Sequence, residues 1–263
     1  MRKRIMRRAV STAKALGLAR LVRATVRLLP ARFRVRMESR VYDLRRRGGD
    51  LTAHVAGDEL ERVLGNALAR LSASRNGDSL GDYLEFGVYG GGTMAAFDRA
   101  RRQAGIDGMR LLGFDSFEGL PQAAQDEAPD RFRAGMFACT ADEARATLRH
   151  GGVDLDRVQL VEGWFDDTLT AETRRAYGLE NAGVIMLDCD LYSSAKAALS
   201  FCAPLVYGSA IVVCDDWVHG GEDGEQRAFR EFLAENGLEA EPLGHYRAGG
   251  HEDGGRVFLV SRV

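Results

Sequence analysis

The sequence predicts an α/β fold in which a mostly parallel, seven-stranded sheet ends in an antiparallel hairpin and follows a helical N-terminal extension. From residue 82 onward, strand-like apolar runs alternate with helix-like segments, a pattern typical of parallel β/α units. Two of these runs, at 183–192 and 208–217, end in carboxylates. The tail holds two more strand-like runs separated by glycine pairs, which indicates a hairpin.

Length and composition suit one soluble α/β domain with an attachment, or two small domains. The chain has 263 residues, of which 45% are hydrophobic, enough to bury a full core. No apolar run reaches the roughly 18 residues that a membrane-spanning helix needs, and the N-terminus lacks the pattern of a signal peptide. The four cysteines form no Cys-x-x-Cys pair, so neither a zinc site nor a disulfide framework is expected. These features predict a cytoplasmic protein.

The charge is distributed unevenly along the chain. Residues 1–47 carry 16 basic and two acidic residues, a net charge of +14, whereas the remainder carries −16. Apolar residues recur at helical spacing in this arm, so we expect a basic helical extension over 1–57, followed by the α/β domain over 58–263. Such a helix can pack on the acidic body, form a homodimer contact or lie at an anionic membrane surface, and a transit peptide has a similar composition. No nucleic-acid-binding motif is present, so nucleic acid is not an expected partner.

The first elements follow from apolar spacing. A 3.6-residue period predicts a helix over 58–73. An apolar run predicts the first strand at 83–88, and glycines lead from it into a helix over 91–104. A second strand is predicted at 110–115.

The next segment, 117–135, is a long loop and is predicted to be a functional lid. Thr140 and Glu143 match a capping box at the start of a helix that reaches residue 149. The remaining predictions are strands at 157–161, 184–187, 210–214, 239–246 and 256–260, and helices over 193–205 and 225–234. Five β/α units closed by a hairpin match the Rossmann-like, seven-stranded sheet of class I methyltransferases better than a plain nicotinamide-binding fold.

Four acids follow the two central apolar runs: Asp188, Asp190, Asp215 and Asp216. The carboxyl ends of parallel strands meet at one edge of the sheet, where ligands bind in open α/β folds. Carboxylates that converge there repel one another, and a hard cation with oxygen ligands is the natural counter-charge. The alternative is that each acid caps the helix that follows it.

A glycine-rich turn at 85–93 connects the first strand to its helix. Glycines allow a ligand to approach the backbone, and a helix N-terminus favours a negative group such as a carboxylate. The spacing departs from the G-x-G-x-x-G pattern of pyrophosphate binding. Asp115 ends the second strand, where an acid can bind both hydroxyls of a ribose; the alternative is a cap for the following loop.

Several of these segments together resemble the macrocin O-methyltransferase family. The resemblance covers roughly residues 80–240 and rests on five segments in the family's order: EFGVYGGGT at 85–93, GFDSFEGLP at 113–121, EGWFDDTL at 162–169, LDCDLYSS at 187–194 and DDW at 215–217. Trp217 stands where the family commonly has tyrosine. The family methylates sugar hydroxyls, typically on antibiotics, with S-adenosylmethionine and magnesium.

The resemblance implies that Asp188, Asp215 and Asp216 bind Mg²⁺ and that Asp190 is the general base. Asp188 and Asp190 are two apart, so an extended backbone would project both to one side. Asp215 and Asp216 would point oppositely in a strand, so joint ligation requires that the strand has already turned into its loop.

The resemblance also implies a cofactor site and an acceptor site. Its cofactor residues surround the methionyl part, the ribose and the adenine of S-adenosylmethionine: Glu85, Gly87, Gly91, Thr93, Asp115, Ser116, Phe117, Asp142, Gly163, Trp164 and Asp188. His219 and Gln226 are candidate contacts for the acceptor, expected to be a sugar of a glycosylated natural product or glycan. The rival hypotheses are a nicotinamide-dependent sugar-modifying oxidoreductase and a non-catalytic membrane-surface or scaffold protein.

Overall fold

The computed structural model describes residues 57–129, 131–218, 221–248 and 251–262. The predicted basic extension, apart from Gly57, lies outside the described residues. Its predicted contacts with a second copy or a membrane surface therefore stay predictions, as does the boundary between the extension and the domain. Within the described ranges, no helix is long and apolar enough to cross a membrane.

Helices and strands alternate along the described chain. The helices are α1 (Gly57–Arg75), α2 (Gly92–Gln103), α3 (Ala124–Glu127), α4 (Ala141–His150), α5 (Phe165–Thr168), α6 (Ala171–Ala176), α7 (Tyr192–Cys202) and α8 (Glu225–Asn236). The strands are β1 (Asp82–Phe86), β2 (Leu111–Asp115), β3 (Val158–Glu162), β4 (Ala182–Leu187), β5 (Ser209–Cys214), β6 (Leu238–Ala248) and β7 (His251–Arg262).

All seven strands form one sheet, in the order β3-β2-β1-β4-β5-β7-β6. Strands β1 to β5 pair in parallel, whereas β7 runs antiparallel to both β5 and β6. The predicted mostly parallel sheet with a C-terminal hairpin is therefore confirmed. Chain order reverses between β1 and β4, and ligand crevices in open α/β sheets lie at such a switch point, at the carboxyl ends of the strands.

The core consists of two apolar layers, one on each face of the sheet. In β4, Val184 and Met186 point into the layer shared with α1 and α2, while Ile185 and Leu187 point into the layer shared with α7 and α8. This alternation explains why an unbroken apolar run predicted a strand, because a central parallel strand is buried on both faces. Parallel pairing places the carboxyl ends of β1 and β4 side by side between these two layers.

Most predicted boundaries lie within a few residues of the observed ones, and the exceptions have physical causes. The largest difference is at β7, which begins at His251 rather than at residue 256, because its pairing with β6 continues through Gly254 and Gly255 as far as Ala248. Strand β1 stops at Phe86 rather than at residue 88, because Gly87 has a φ of 89° and turns the chain. Helix α7 ends at Cys202, and a 3₁₀ turn that contains Pro204 replaces its predicted last turn. The capping box at Thr140 and Glu143 is confirmed in both directions. The short helices α3, α5 and α6 were not predicted.

The predicted lid segment, 117–135, contains the four-residue helix α3 and packs onto the loop after β4. Phe132 and Ala124 form a small apolar cluster with Leu191. A carboxylate oxygen of Glu127 accepts a hydrogen bond from the backbone N–H of Ser193 at 3.2 Å, near the start of α7. Helix α7 has no side-chain cap from its own N-cap residue, so the lid supplies one of the acceptors that its first turn needs.

Candidate active site

The four predicted acids lie together at the carboxyl edge of the sheet. Asp188 follows β4 directly, and its N–H donates to Phe86 O of β1 at 2.9 Å. Asp215 follows β5, and its N–H donates to Leu187 O at 2.9 Å. Backbone hydrogen bonds thus continue the ladder for one residue beyond each strand and fix where both side chains begin.

Asp190 departs from the extended backbone that its sequence context predicted. Its φ is 63°, and the N–H of Leu191 donates to Cys189 O at 2.7 Å, so Asp190 is the central residue of a γ-turn. The expectation that Asp188 and Asp190 project from one extended segment is therefore wrong. A positive φ at a residue other than glycine costs about 1–3 kcal/mol and persists where the surroundings enforce it, often at functional sites.

The expectation for Asp215 and Asp216 is confirmed: β5 ends at Cys214, and both acids lie in the turn that follows. Asp215 Oδ1 accepts a hydrogen bond from the hydroxyl of Tyr246 at 2.6 Å. Asp216 Oδ2 accepts one from the N–H of Asp190 at 3.1 Å. The turn is thereby tied to both β6 and the loop after β4.

Burial and mutual repulsion disfavour the charged forms of these acids. Burial raises the pKa of Asp188 well above its ordinary value, and the charges of Asp215, Asp216 and Asp190 raise it further. Burial also raises the pKa of Asp190, Asp215 and Asp216, and Asp216 adds to the rise at the first two. Arg131 of the lid opposes the rise at Asp190 and Asp216. Additional positive charge among the four acids would stabilise their charged forms.

The donor set suits a hard cation, although the side chains do not form a coordination site as they stand. Across residues 57–129, 131–218, 221–248 and 251–262, no three His, Cys, Asp or Glu side chains are arranged to hold a metal ion. Asp188, Asp215 and Asp216 nevertheless offer only carboxylate oxygens, the ligands that Mg²⁺ prefers, and they repel one another. The chemistry of the residues fits Mg²⁺, and the predicted ligation stays a prediction.

The glycine-rich turn lies beside these acids. A Cβ placed on Gly87 would overlap the carbonyl oxygen of Asp188, so glycine is required for the two loops to approach each other. Gly91 has a φ of 75° and is the N-cap of α2. Thr93 in the first turn of α2 donates from Oγ1 to Asp188 Oδ2 at 3.3 Å. The first N–H groups of α2 therefore lie near the acidic cluster.

Asp115 organises the turn as well as the lid. Its Oδ2 accepts from the N–H groups of Val88 and Tyr89, both at 2.8 Å, and its Oδ1 accepts from the N–H of Phe117 at 2.7 Å. Asp115 therefore has the capping role that was the alternative, and its binding of a ribose stays a prediction. Burial raises the pKa of Asp115, and these three N–H groups oppose the rise.

Glu85 is fully buried at the end of β1. Its Oε2 accepts from the hydroxyl of Tyr83 at 2.7 Å, while its buried Oε1 has no hydrogen-bond partner among the described residues. Burial raises the pKa of Glu85 to about 8, despite the Tyr83 hydrogen bond, which lowers it. Unmatched buried carboxylate oxygens are costly, so this atom needs a partner that the described protein atoms do not provide.

The other predicted cofactor residues occupy the loops after β2 and β3. Ser116 forms a turn with Glu118 and Gly119, and Phe117 has a φ of 56°. Gly163 donates its N–H to Asp115 O at 2.9 Å, and half-buried Trp164 is the N-cap residue of α5.

Asp142, a predicted adenine contact, is exposed in the first turn of α4, and Arg145 lies 3.3 Å from its carboxylate. Of the predicted acceptor contacts, His219 lies outside the described residues, whereas Gln226 donates from Nε2 to Trp217 O at 2.7 Å.

Two residues at the site were missed by sequence reasoning. Glu225, the first residue of α8, is fully buried, and its Oε2 accepts from the N–H of Asp216 at 3.0 Å. Tyr246 reaches Asp215 from β6. Neither residue stands in a motif, and only the tertiary fold brings them to the acids.

Comparison with known proteins identifies the family. The family model described as Macrocin-O-methyltransferase (TylF) matches residues 32–246. The chain is 35% identical over 144 residues to the 8-demethyl-8-(2,3-dimethoxy-alpha-L-rhamnosyl)-tetracenomycin-C 4'-O-methyltransferase of Streptomyces olivaceus. It is 28% identical over 144 residues to the demethyldecarbamoylnovobiocin O-methyltransferase of Streptomyces niveus. Each match covers 52% of this chain and 53% of the relative, about half the length of both.

Solved structures agree on the fold. The O-methyltransferase NovP superposes with a TM-score of 0.58 at 21% identity, over 79% of each chain. The calicheamicin methyltransferase CalS11 superposes with a TM-score of 0.57 at 23% identity, over 75% of this chain and 76% of that one. The overall fold is thus that of class I methyltransferases. Because the family model matches most of its length, this chain belongs to the macrocin O-methyltransferase family.

Proposed function

We propose that the protein is a magnesium-dependent O-methyltransferase that moves a methyl group from S-adenosylmethionine to a sugar hydroxyl. The observation that carries the proposal is the acidic cluster at the carboxyl edge of β4 and β5, beside a glycine-rich turn, in a chain of this family. The names of two relatives describe O-methylation in the chemistry of tetracenomycin and novobiocin. A sugar of a glycosylated natural product is therefore the proposed acceptor.

The acids divide into cation ligands and a base. Asp188, Asp215 and Asp216 would hold Mg²⁺, which when bound lowers the pKa of a hydroxyl and orients it. Asp190 would take the proton from the acceptor hydroxyl, the role that the family resemblance implies; its γ-turn gives it a different backbone course from that of Asp188. Removal of that proton makes the oxygen a better nucleophile for the methyl carbon of the sulfonium, and the lid would exclude water from the reaction.

Glu85 and the glycine-rich turn would hold the methionyl end of S-adenosylmethionine. The buried Oε1 of Glu85 can pair with an ammonium group, and the N-terminus of α2 can accept a carboxylate. Asp115 would bind the ribose with the acceptor capacity that its three N–H partners leave. Gly163, Trp164 and Asp142 would lie near the adenine.

Binding measurements test this assignment directly. Calorimetry with S-adenosylmethionine and with NAD, each with and without Mg²⁺, is expected to show binding of the methyl donor and no binding of NAD. Methyl transfer to candidate sugar acceptors is expected to stop on addition of a chelator. Binding of NAD in place of S-adenosylmethionine would instead favour the oxidoreductase hypothesis.

The affinity for S-adenosylmethionine is expected to rise with pH between about 6 and 8. Because burial raises the pKa of Glu85 to about 8, its carboxyl is mostly protonated below that pH, and an ammonium ligand favours the ionised form. Binding should therefore release a proton, and affinity should increase by up to about tenfold per pH unit. Calorimetry in two buffers of different ionisation enthalpy measures both quantities.

Glu85→Gln should remove this pH dependence, whereas the matched change Glu162→Gln, at an exposed carboxylate that ends β3, should keep it. A pH-independent affinity in the unmodified protein would contradict the role given to Glu85.

A further inference from the structure

Tyr246 donates a hydrogen bond to Asp215 but has no role in the reaction proposed above. It lies near the end of β6, its ring is 1% exposed, and its hydroxyl donates to Asp215 Oδ1 at 2.6 Å. That length is typical of an O–H···O⁻ bond to a charged acceptor, which is about twice as strong as a neutral one. Asp215 is thereby fixed by an element outside the loop that carries it.

The β6–β7 hairpin leaves space for the ring of Tyr246. Tyr246 pairs with Gly255 of β7, and a Cβ on Gly255 would overlap the ring of Tyr246. The pairing of β6 with β7 shifts register immediately after Tyr246, between Tyr246 and Ala248. A bulge of this kind redirects a side chain, and here Gly255 leaves the space in which the ring lies.

The orientation of Asp215 matters because its neighbours repel it. Asp216 and Asp188 carry like charges, and without a fixed partner the Asp215 carboxylate would turn away from them toward solvent. With Oδ1 held by Tyr246, the second oxygen, Oδ2, is the one left to face a cation. Mutation of a residue that hydrogen-bonds to a metal ligand and orients it commonly lowers the metal affinity by about 10–100-fold.

We propose that Tyr246 is a positioning residue that orients the Asp215 carboxylate for the divalent cation. This inference rests on the proposed magnesium-dependent function. It assigns the C-terminal hairpin a part in the cation site, in addition to its place at the edge of the sheet.

The test is Tyr246→Phe, which removes the hydroxyl and keeps the ring. Calorimetry on the full chain with Mg²⁺ alone is expected to show about tenfold weaker binding, with the affinity for S-adenosylmethionine within about twofold of the unmodified protein. Tyr192→Phe is the matched control, because the Tyr192 hydroxyl donates to Glu231 Oε2 of α8 at 2.8 Å rather than to one of the four acids. The control should leave both affinities unchanged.

A second variant, in β7, disturbs the same hydrogen bond between Tyr246 and Asp215. Gly255→Ala should push the ring off Asp215 and weaken Mg²⁺ binding at least as much, whereas Gly108→Ala, where a Cβ meets nothing within 4 Å, should not. An Mg²⁺ affinity of Tyr246→Phe within twofold of the control overturns the inference, as does a parallel loss of S-adenosylmethionine affinity. Absence of Mg²⁺ binding in the unmodified chain overturns the magnesium proposal itself, and the inference with it.

Discussion

Replacing Gly87 by alanine is expected to lower the free energy of unfolding by about 2–3 kcal/mol and to weaken S-adenosylmethionine binding by at least about tenfold. Gly87 has a φ of 89°, a conformation that costs an alanine energy, and the added methyl group would overlap the carbonyl oxygen of Asp188. Either the turn after β1 or the loop after β4 must move, and both belong to the proposed site.

Thermal unfolding and calorimetry measure the two effects. A loss of this size should lower the Tm by about 5–10 °C for a domain of this length. Gly65→Ala is the matched control: Gly65 lies inside α1, and a Cβ there meets nothing within 4 Å. That change should stabilise the protein by about 0.5–1 kcal/mol, because alanine is the better helix former. Unchanged stability and binding in Gly87→Ala would show that the two loops need not approach each other so closely.

The fold was predictable because its central strands are buried on both faces. In β4 and β5, every residue is buried, so each appears in the sequence as an unbroken apolar run that ends where the acids begin. The edge strand β3 is partly exposed and was still found within one residue. Helices α5 and α6, of four and six residues, are too short to show a helical period and were missed.

The site was predictable only where its residues follow the strands directly. The positions of Asp188, Asp215 and Asp216 follow from where β4 and β5 end, and the structure brings them together. The left-handed conformation of Asp190 does not follow from the sequence, since aspartate occurs in extended segments as well. The contact of Tyr246 with Asp215 depends on the bulged pairing of β6 with β7, which no local pattern encodes.

Replacing Asp190 by asparagine is expected to lower the rate of methyl transfer by about 10²–10⁴-fold, the usual contribution of a general base. Asparagine is the appropriate substitute because it tolerates the left-handed backbone at this position and keeps the N–H that donates to Asp216 Oδ2. The affinities for Mg²⁺ and S-adenosylmethionine should therefore stay within a few-fold. The rate is measured with a labelled methyl donor at saturating Mg²⁺.

Asp188→Asn provides the contrast that separates base from ligand. Burial and all three neighbouring aspartates raise the pKa of Asp188. Because Asp188 is a proposed cation ligand, the first effect of Asp188→Asn should be weaker Mg²⁺ binding. Excess Mg²⁺ should then restore part of the methyl-transfer rate of Asp188→Asn. It should not restore the rate of Asp190→Asn, because a missing base cannot be replaced by more cation. Asp166→Asn, at an exposed acid of α5, should change neither quantity. If excess Mg²⁺ rescued Asp190→Asn and not Asp188→Asn, the two roles would have to be exchanged, with Asp188 as the base.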